Sequence, residues 1–539
     1  MRIGVITVKK LPLGIQNFKK IIEGDYLYAD KTRHIYNLLN DASYFFLSRP
    51  RRFGKSLLLD TMAEMFKGEK DLFKGLWIYD SDYAFAKHPV IKLDMSNMAN
   101  NTPDTLEKSL TFYLKMYYAE ENFTYTESIA SNAFTKLILS LHAKYGERVV
   151  VLIDEYDKPI LDHIGDIVTA DGNRMLLNGF YGVLKSMDPY LRFVFITGVT
   201  KFTKTSIFSG LNNLKDITMA EEYSEICGIP VESLDLHFGE HIGQMSTHKR
   251  LRKYDSVKDE ILAWYDGYSW DGETRLLNPF SLFNSLSDKK FKRYWYATGT
   301  PTFLVNMIKK KPESYLGLKN LVITEDMLDT FEIEKIEPAP LLFQTGYLTV
   351  KEAVDSKGPP AYILDIPNYE VRDAFSMQIV SALTESGDIQ AGQAKMQIGA
   401  ALETGDLPKM LEMLRGLFAS IPYELYVNEE AYYHSIFYAV MTLLGFDMDV
   451  EVSASRGKID AVLELGDKVY VMEFKYKKCG KDAGIDEKKR LFESVLNDAM
   501  MQINVRGYCD KYKGSEKKIL KAAFAFLGRD EIEMRVESL

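Results

Sequence analysis

The chain has 539 residues, which at roughly 100–200 residues per domain is enough for several separate cores. Its 46% apolar and 27% charged content excludes a disordered or collagen-like chain, and its net charge of −9 excludes a surface coated in basic residues while leaving room for a local basic groove. Cys227, Cys479 and Cys509 are too scattered for a disulfide framework or a zinc knuckle, no apolar run reaches the ~18 residues that span a bilayer, and the apolar stretch within Met1–Lys10 is too short for a secretory signal, so a cytoplasmic protein with no membrane partner is expected.

The first part of the chain alternates β-rich runs with long helical patterns. The runs are Tyr44–Leu47, Val90–Leu93, Val149–Ile153 and Arg192–Ile196. Nearly continuous apolar strands joined by helical spans predict an α/β fold with a parallel sheet covered on both faces. From about residue 226 helical segments dominate up to Phe343. Tyr347–Val350 and Ala361–Ile366 then flank a turn-rich stretch, Ser356-Lys357-Gly358-Pro359-Pro360, which predicts a winged-helix-like hairpin. Two more helical patterns run to about Ser420, after which helix and strand mix again. The expected partition is 1–225, 226–405 and 406–539.

Tyr44–Leu47 runs into Ser48-Arg49-Pro50-Arg51-Arg52-Phe53-Gly54-Lys55-Ser56 and then a helical pattern, the strand–loop–helix context of a phosphate loop. In that device backbone N–H groups surround the β- and γ-phosphates, Lys55 supplies a charge, and the Ser56 hydroxyl binds Mg²⁺. The usual pattern has Gly where Arg49 stands, and Gly-Lys-Ser alone also suits a basic surface turn. The second half decides for function: Val149–Ile153 ends in Asp154-Glu155, a buried strand delivering one acid to Mg²⁺ and one to the attacking water. Thr197, after the Arg192–Ile196 strand, is the candidate γ-phosphate sensor with Thr200 in reserve; a hydroxyl capping a turn explains either equally well.

Ile459–Leu465 and Lys468–Lys475 are strand-like runs around Gly466-Asp467. A two-residue loop with Gly first suits a type II′ turn and sets Leu465 opposite Lys468, hence Asp460 opposite Glu473. Two carboxylates facing each other call for a cation between them, and a hard divalent metal bound by oxygen is the natural one. Lys475, two residues after Glu473, projects from the same face and would stabilise charge on the phosphorus. A solvated face on an exposed hairpin is the bland alternative. Upstream, Glu430 is a third metal-side carboxylate and His434 shares its helix face. Downstream, Gln502 falls on the apolar face of a helix marked by Leu491, Val495 and Ala499, with Tyr508 as a supporting donor. Arg456, Lys458, Lys477, Lys478 and Lys481 surround the hairpin with positive charge suited to a phosphate backbone.

Taken together, these motifs resemble a bacterial and archaeal family of AAA-ATPase-like proteins carrying a C-terminal PD-(D/E)XK nuclease domain. The matching segments are Leu11–Phe18, Tyr28–Thr32, Arg49–Ser56, Ile153–Pro159, Thr197–Phe202, Ser209–Leu214, Trp264–Tyr268, Asn278–Ser281, Gly457–Asp460, Glu473–Lys475 and Gln502. The resemblance implies an AAA/ASCE-like P-loop sheet, a helical lid with a winged-helix-like module, and a restriction-endonuclease-like α/β domain. It implies ATP bound by Arg51, Arg52, Phe53, Gly54, Lys55, Ser56, Leu57, Asp154 and Thr197, with Glu155 catalytic. It implies Mg²⁺ on Ser56 and Asp154, and a second metal on Glu430, Asp460 and Glu473, with Lys475 and Gln502 assisting. DNA is the expected partner and a homo-oligomer is compatible with the pattern. Lys201 stands where the family usually has Arg, and Lys458 where Arg is commoner. Two other functions fit the same residues: a nucleotide-driven switch whose terminal domain binds nucleic acid or protein without cutting, and a signalling NTPase with no nucleic acid.

Overall fold

The computed structural model describes residues 8–201, 207–208, 211, 213–247, 255–296, 321–328, 337–355, 358–384, 388–419, 433, 436–438, 441, 448–454, 457–480, 483–514, 517–527 and 531–539. The chain forms two compact units, one of residues 1–299 and 319–368 and the other of residues 300–318 and 369–539.

The first unit is built on a parallel sheet of β1 (Tyr44–Ser48), β2 (Val90–Asp94), β3 (Val149–Asp154), β4 (Leu191–Gly198) and β5 (Lys215–Asp216), in the order β2-β3-β4-β1-β5. The apolar runs of β1 and β3 are buried along their whole length, as strands covered on both faces must be. Helices Lys55–Phe66, Pro103–Glu120, Ala130–Tyr145 and Ile167–Ser186 supply the connections. The two-residue edge strand β5 is polar and carries no apolar signal in the sequence. The register aligns Ser48 with Gly198, Leu47 with Thr197 and Asp94 with Asp154, so the chain leaves all four main strands at one edge. β4 separates β1 from β3, and the carboxyl edge where such a sheet changes direction is the place for a ligand.

Beyond this sheet, β6 (Ile229–Pro230) pairs with β7 (Leu276–Leu277), and helices Ser233–Ser246, Val257–Tyr265 and Pro279–Asp288 share a core of Leu234, Phe238, Ile261, Tyr265 and Leu282. The expected hairpin is present as β9 (Thr349–Val354) and β10 (Ala361–Asp365). A further strand, β8 (Leu321–Thr324), pairs with β10, and helix Pro338–Thr345 leads into the hairpin through Gly346 at φ 89°.

In the second unit three helices, Tyr369–Thr384, Asp388–Thr404 and Leu407–Ala419, replace the two expected up to Ser420. Gly405, at φ 75°, reverses the chain between the last two. The contacts thus place residues 369–419 with the second unit and 226–296 and 321–368 with the first. A mixed sheet follows: β11 (Met448–Ala454), β12 (Gly457–Leu465), β13 (Lys468–Lys477), β14 (Lys518–Leu527) and β15 (Glu531–Ser538), in sequence order. Only β13 and β14 are parallel, joined by helix Ile485–Val505. One sheet face, with Leu463, Met472, Phe474 and Phe524, packs on Leu414 and Phe418; the other, with Val462, Val469 and Val471, packs on Val495, Leu496, Ala499 and Ile503. Among the described residues no helix is long and apolar enough to cross a membrane.

Candidate nucleotide and metal sites

The phosphate loop is the turn from β1 into helix Lys55–Phe66. Arg52 and Gly54 hold left-handed φ values of 70° and 96°. Arg49, standing where Gly is usual, is wholly buried. Its Nη1 donates to the carbonyls of Ser48 (3.0 Å) and Thr218 (2.7 Å), and its guanidinium lies 4.0 Å from the ring centre of Trp270. Burial lowers its pKa to about 10. This residue is a strut of the core, and the basic surface turn does not describe it.

Lys55 is 4% exposed, and its Nζ donates to the loop carbonyls of Arg49 (2.8 Å) and Pro50 (3.0 Å) while lying 4.0 Å from Glu155 Oε1. The Ser56 hydroxyl lies beside the Asp154 carboxylate. Asp154 is 2% exposed; burial raises its pKa to about 6, and the neighbouring Ser56 hydroxyl opposes that rise. A hydroxyl beside a carboxylate is a hard-oxygen pair that fits Mg²⁺. Glu155 holds φ 53°, and its amide donates to Asp154 Oδ1 at 3.1 Å. Thr197 is fully buried, and its Oγ1 has no hydrogen-bond partner among the described residues. Thr200 is committed elsewhere: its amide (2.6 Å) and hydroxyl (2.7 Å) both donate to Asp157, which also receives the Val199 amide (3.0 Å).

A cavity of about 350 Å³ opens over this loop, within the ~300–1,000 Å³ usual for small-molecule sites. Arg51, Arg52, Gly54, Lys55, Ser56, Leu57 and Glu155 line one side. Phe53 does not: its ring is buried edge-on against Tyr268 (4.8 Å) and Trp270 (5.4 Å), which leaves only its backbone to the loop.

In the second unit the hairpin turn has Gly466 at φ 56° and sets Leu465 opposite Lys468, as its composition requires. The ladder continues to Ala461 opposite Met472, one step short of Asp460 and Glu473. Asp460 Oδ2 accepts the Phe474 amide at 2.8 Å. Glu473 is fully buried, and Lys475 Nζ donates to its Oε1 at 2.8 Å. By strand alternation Glu473 and Lys475 share the face of Val471, while Ile459 and Val462 pack in one cluster, so strict alternation does not run through Asp460. Gln502 is half-buried on helix Ile485–Val505, and its amide donates to Tyr508 Oη (3.3 Å) rather than to either carboxylate. Tyr508 also receives Arg506 (3.2 Å). Glu430, His434, Arg456 and Lys481 lie outside the described residues. Among the described residues no group of three or more metal-ligating side chains is assembled, so the described donor set here is the two carboxylates.

Residues 12–208 match the family described as Predicted AAA-ATPase, and residues 428–535 match the PD-(D/E)XK nuclease superfamily. An uncharacterized protein from the vnfD 5′ region of Azotobacter chroococcum mcd 1 is 36% identical over 542 residues, covering 98% of this chain and 99% of that relative. The chain belongs to this family of predicted AAA-ATPases with a C-terminal PD-(D/E)XK nuclease superfamily domain. No solved structure matches it.

Two groups of cavity residues have no site role in the sequence reading, which takes Leu11–Phe18 and Asn278–Ser281 only as family-like segments. One is Pro12–Gln16, brought to the loop because Asp60 of helix Lys55–Phe66 accepts from the Phe18 amide (2.7 Å) and Asn17 Nδ2 (3.1 Å). The other is Pro279, Phe280 and Phe283, at the start of a helix capped by Asn278, whose Oδ1 accepts the Phe280 and Ser281 amides. The Asn-Pro cap is legible in the sequence; the surface it faces is not. Asp157 is visible there only as a third acid after Asp154 and Glu155.

Proposed function

We propose that the protein binds Mg²⁺·ATP at the phosphate loop, hydrolyses it, and uses the nucleotide state to govern metal-dependent phosphodiester cleavage, with DNA as substrate, by its C-terminal domain. The observation that carries this reading is the convergence of Lys55, Ser56 and Glu155 on one cavity, with Asp154 beside Ser56. Lys55 exchanges the Arg49 and Pro50 carbonyls for phosphate oxygens. Ser56 and Asp154 hold the Mg²⁺, which supplies charge neutralisation on the β- and γ-phosphates. Glu155 orients the attacking water, and the Thr197 hydroxyl, which has no partner among the described residues, reports the γ-phosphate. Residues 1–225 serve as the ATPase core, 226–405 as lid and wing, and 406–539 as the nuclease region. In that last region Asp460 and Glu473, with Glu430 as a third acid, hold the metal. Lys475 then turns from Glu473 to the phosphorus centre, and Gln502 acts through Tyr508.

The Lys475–Glu473 ion pair favours a second reading as well, a switch whose terminal domain binds nucleic acid or protein without cutting, since the lysine already neutralises the buried carboxylate. The deciding experiment incubates full-length protein with plasmid DNA in Mg²⁺ or Mn²⁺, with and without ATP, beside Glu473→Ala. Cleavage by wild type and none by the variant supports the nuclease. Intact DNA under every condition, with ATP turnover retained, leaves the switch.

A further inference from the structure

The cations around the nucleotide cavity fall into two groups. Lys158 is held by Asp162 at 2.7 Å, and Lys55 is held by the Arg49 and Pro50 carbonyls, 4.0 Å from Glu155. Arg51 and Arg52 differ: both line the cavity, and among the described residues no carboxylate pairs with either. Arg51 is half-buried, with its carbonyl fixed by Trp295 Nε1 at 3.1 Å. Arg52 is exposed, holds a left-handed backbone that an L-residue rarely adopts, and has its guanidinium 4.9 Å from the ring centre of Phe280. Phe280 sits in the first turn of helix Pro279–Asp288 and lines the same cavity. An exposed stack of this kind is weak, whereas a guanidinium offers two parallel donors to a phosphate and exchanges readily.

We propose that Arg52 is a catalytic arginine supplied in cis: it leaves the Phe280 ring for the γ-phosphate of bound ATP, so that turnover needs no arginine from a neighbouring subunit. The inference rests on the nucleotide-site reading above. In the step it assists, the water oxygen forms a bond to the γ-phosphorus as the bond to the β–γ bridging oxygen breaks. The electron pair of that bond leaves with ADP, and the water proton passes to the Glu155 carboxylate. Arg52 carries no proton; its charge offsets what accumulates on the γ-phosphoryl oxygens, the role for which an arginine is worth roughly 10³–10⁵ in turnover. Release of the ring also ties occupancy of the loop to helix Pro279–Asp288.

The test uses the full-length protein, Arg52→Asn and Arg52→Lys; asparagine tolerates the left-handed backbone, so the loop is retained. ATP and ADP affinities are measured by calorimetry, and ATP turnover per molecule over about a hundredfold range of protein concentration. The expected result is wild-type turnover independent of concentration, kcat of Arg52→Asn reduced by about 10³ or more, and Arg52→Lys recovering only a small part. ATP affinity should fall in Arg52→Asn while ADP affinity stays within about twofold, since the contact is to the γ-phosphate. Near-normal kcat in Arg52→Asn, equal loss of ATP and ADP affinity, or wild-type turnover that rises with concentration would each overturn the proposal. Wild type that binds no ATP would overturn the underlying site reading too, whereas binding with no effect of the substitution overturns this inference alone.

Discussion

Asp154→Asn should make the nucleotide-free protein more stable while removing its response to Mg²⁺·ATP. Asp154 is 2% exposed and its pKa is raised by burial from 3.8 to about 6. Below pH ~4 the carboxyl is protonated in both the folded and unfolded chain and costs nothing. Between about 4 and 6 the unfolded chain has lost the proton that the native state keeps, so stability falls as pH rises; above about 6 the full penalty is present and constant. A rise of that size corresponds to at most ~3 kcal/mol, and imperfect replacement of the carboxylate as acceptor for the Glu155 amide leaves about 1–2 kcal/mol. At pH 8 the thermal transition of the P-loop unit should therefore rise by about 3–5 °C in the variant. The gap should narrow as the pH is lowered from 8 to 5. Saturating Mg²⁺·ATP should raise the wild-type transition by mass action and the variant much less. A variant no more stable than wild type at pH 8, or a gap that does not change with pH, would refute the reasoning that this carboxylate is held against the fold for the sake of a cation.

Other substitutions probe separate links. Glu155→Gln should keep ATP affinity within a few-fold and lose turnover by about 10² or more, as removal of a water-positioning group does; normal turnover would take Glu155 out of that role. Lys55→Ala should weaken ATP binding in calorimetry by at least tenfold, because its charge and its place 4.0 Å from Glu155 are both lost. Asp60→Ala removes the acceptor for Phe18, Asn17 and Lys92 and should cost about 2–4 kcal/mol in urea unfolding, with ATP affinity falling as the Pro12–Gln16 segment loosens. Arg49→Ala should destabilise by about 3 kcal/mol or more, leaving buried carbonyls without donors and a void beside Trp270; a neutral result would refute its role as a strut of the core.

β1, β3 and β4 were legible because their runs are apolar on both faces, and a strand covered on both sides needs no partner to be recognised; β2 alternates, with Lys92 in its middle, and β5 gave no signal. The C-terminal hairpin was legible for a different reason: Gly466 at the turn fixes the register locally, and counting back from Leu465 and Lys468 holds as far as Ala461 and Met472, one step short of Asp460 and Glu473. Arg49 was misleading as a sequence symbol. Its charge suggests solvent, but Trp270 and the Thr218 carbonyl, far along the chain, take it into the core. Gln502 was placed on the correct helix, yet its amide is turned to Tyr508, a choice between neighbouring acceptors that periodicity does not make.

By itself the chain determined its local grammar: which runs form strands, where Gly54 and Gly466 bend the backbone, and which acids end a buried strand. Those are set by φ/ψ preferences and by side-chain period within a few residues. The tertiary structure alone decided that Pro12–Gln16 and Phe280 would wall the cavity with Arg52 and that Asp60 would anchor the first of these. Such meetings join segments tens to hundreds of residues apart, and their position depends on how whole layers pack, which no short-range pattern encodes.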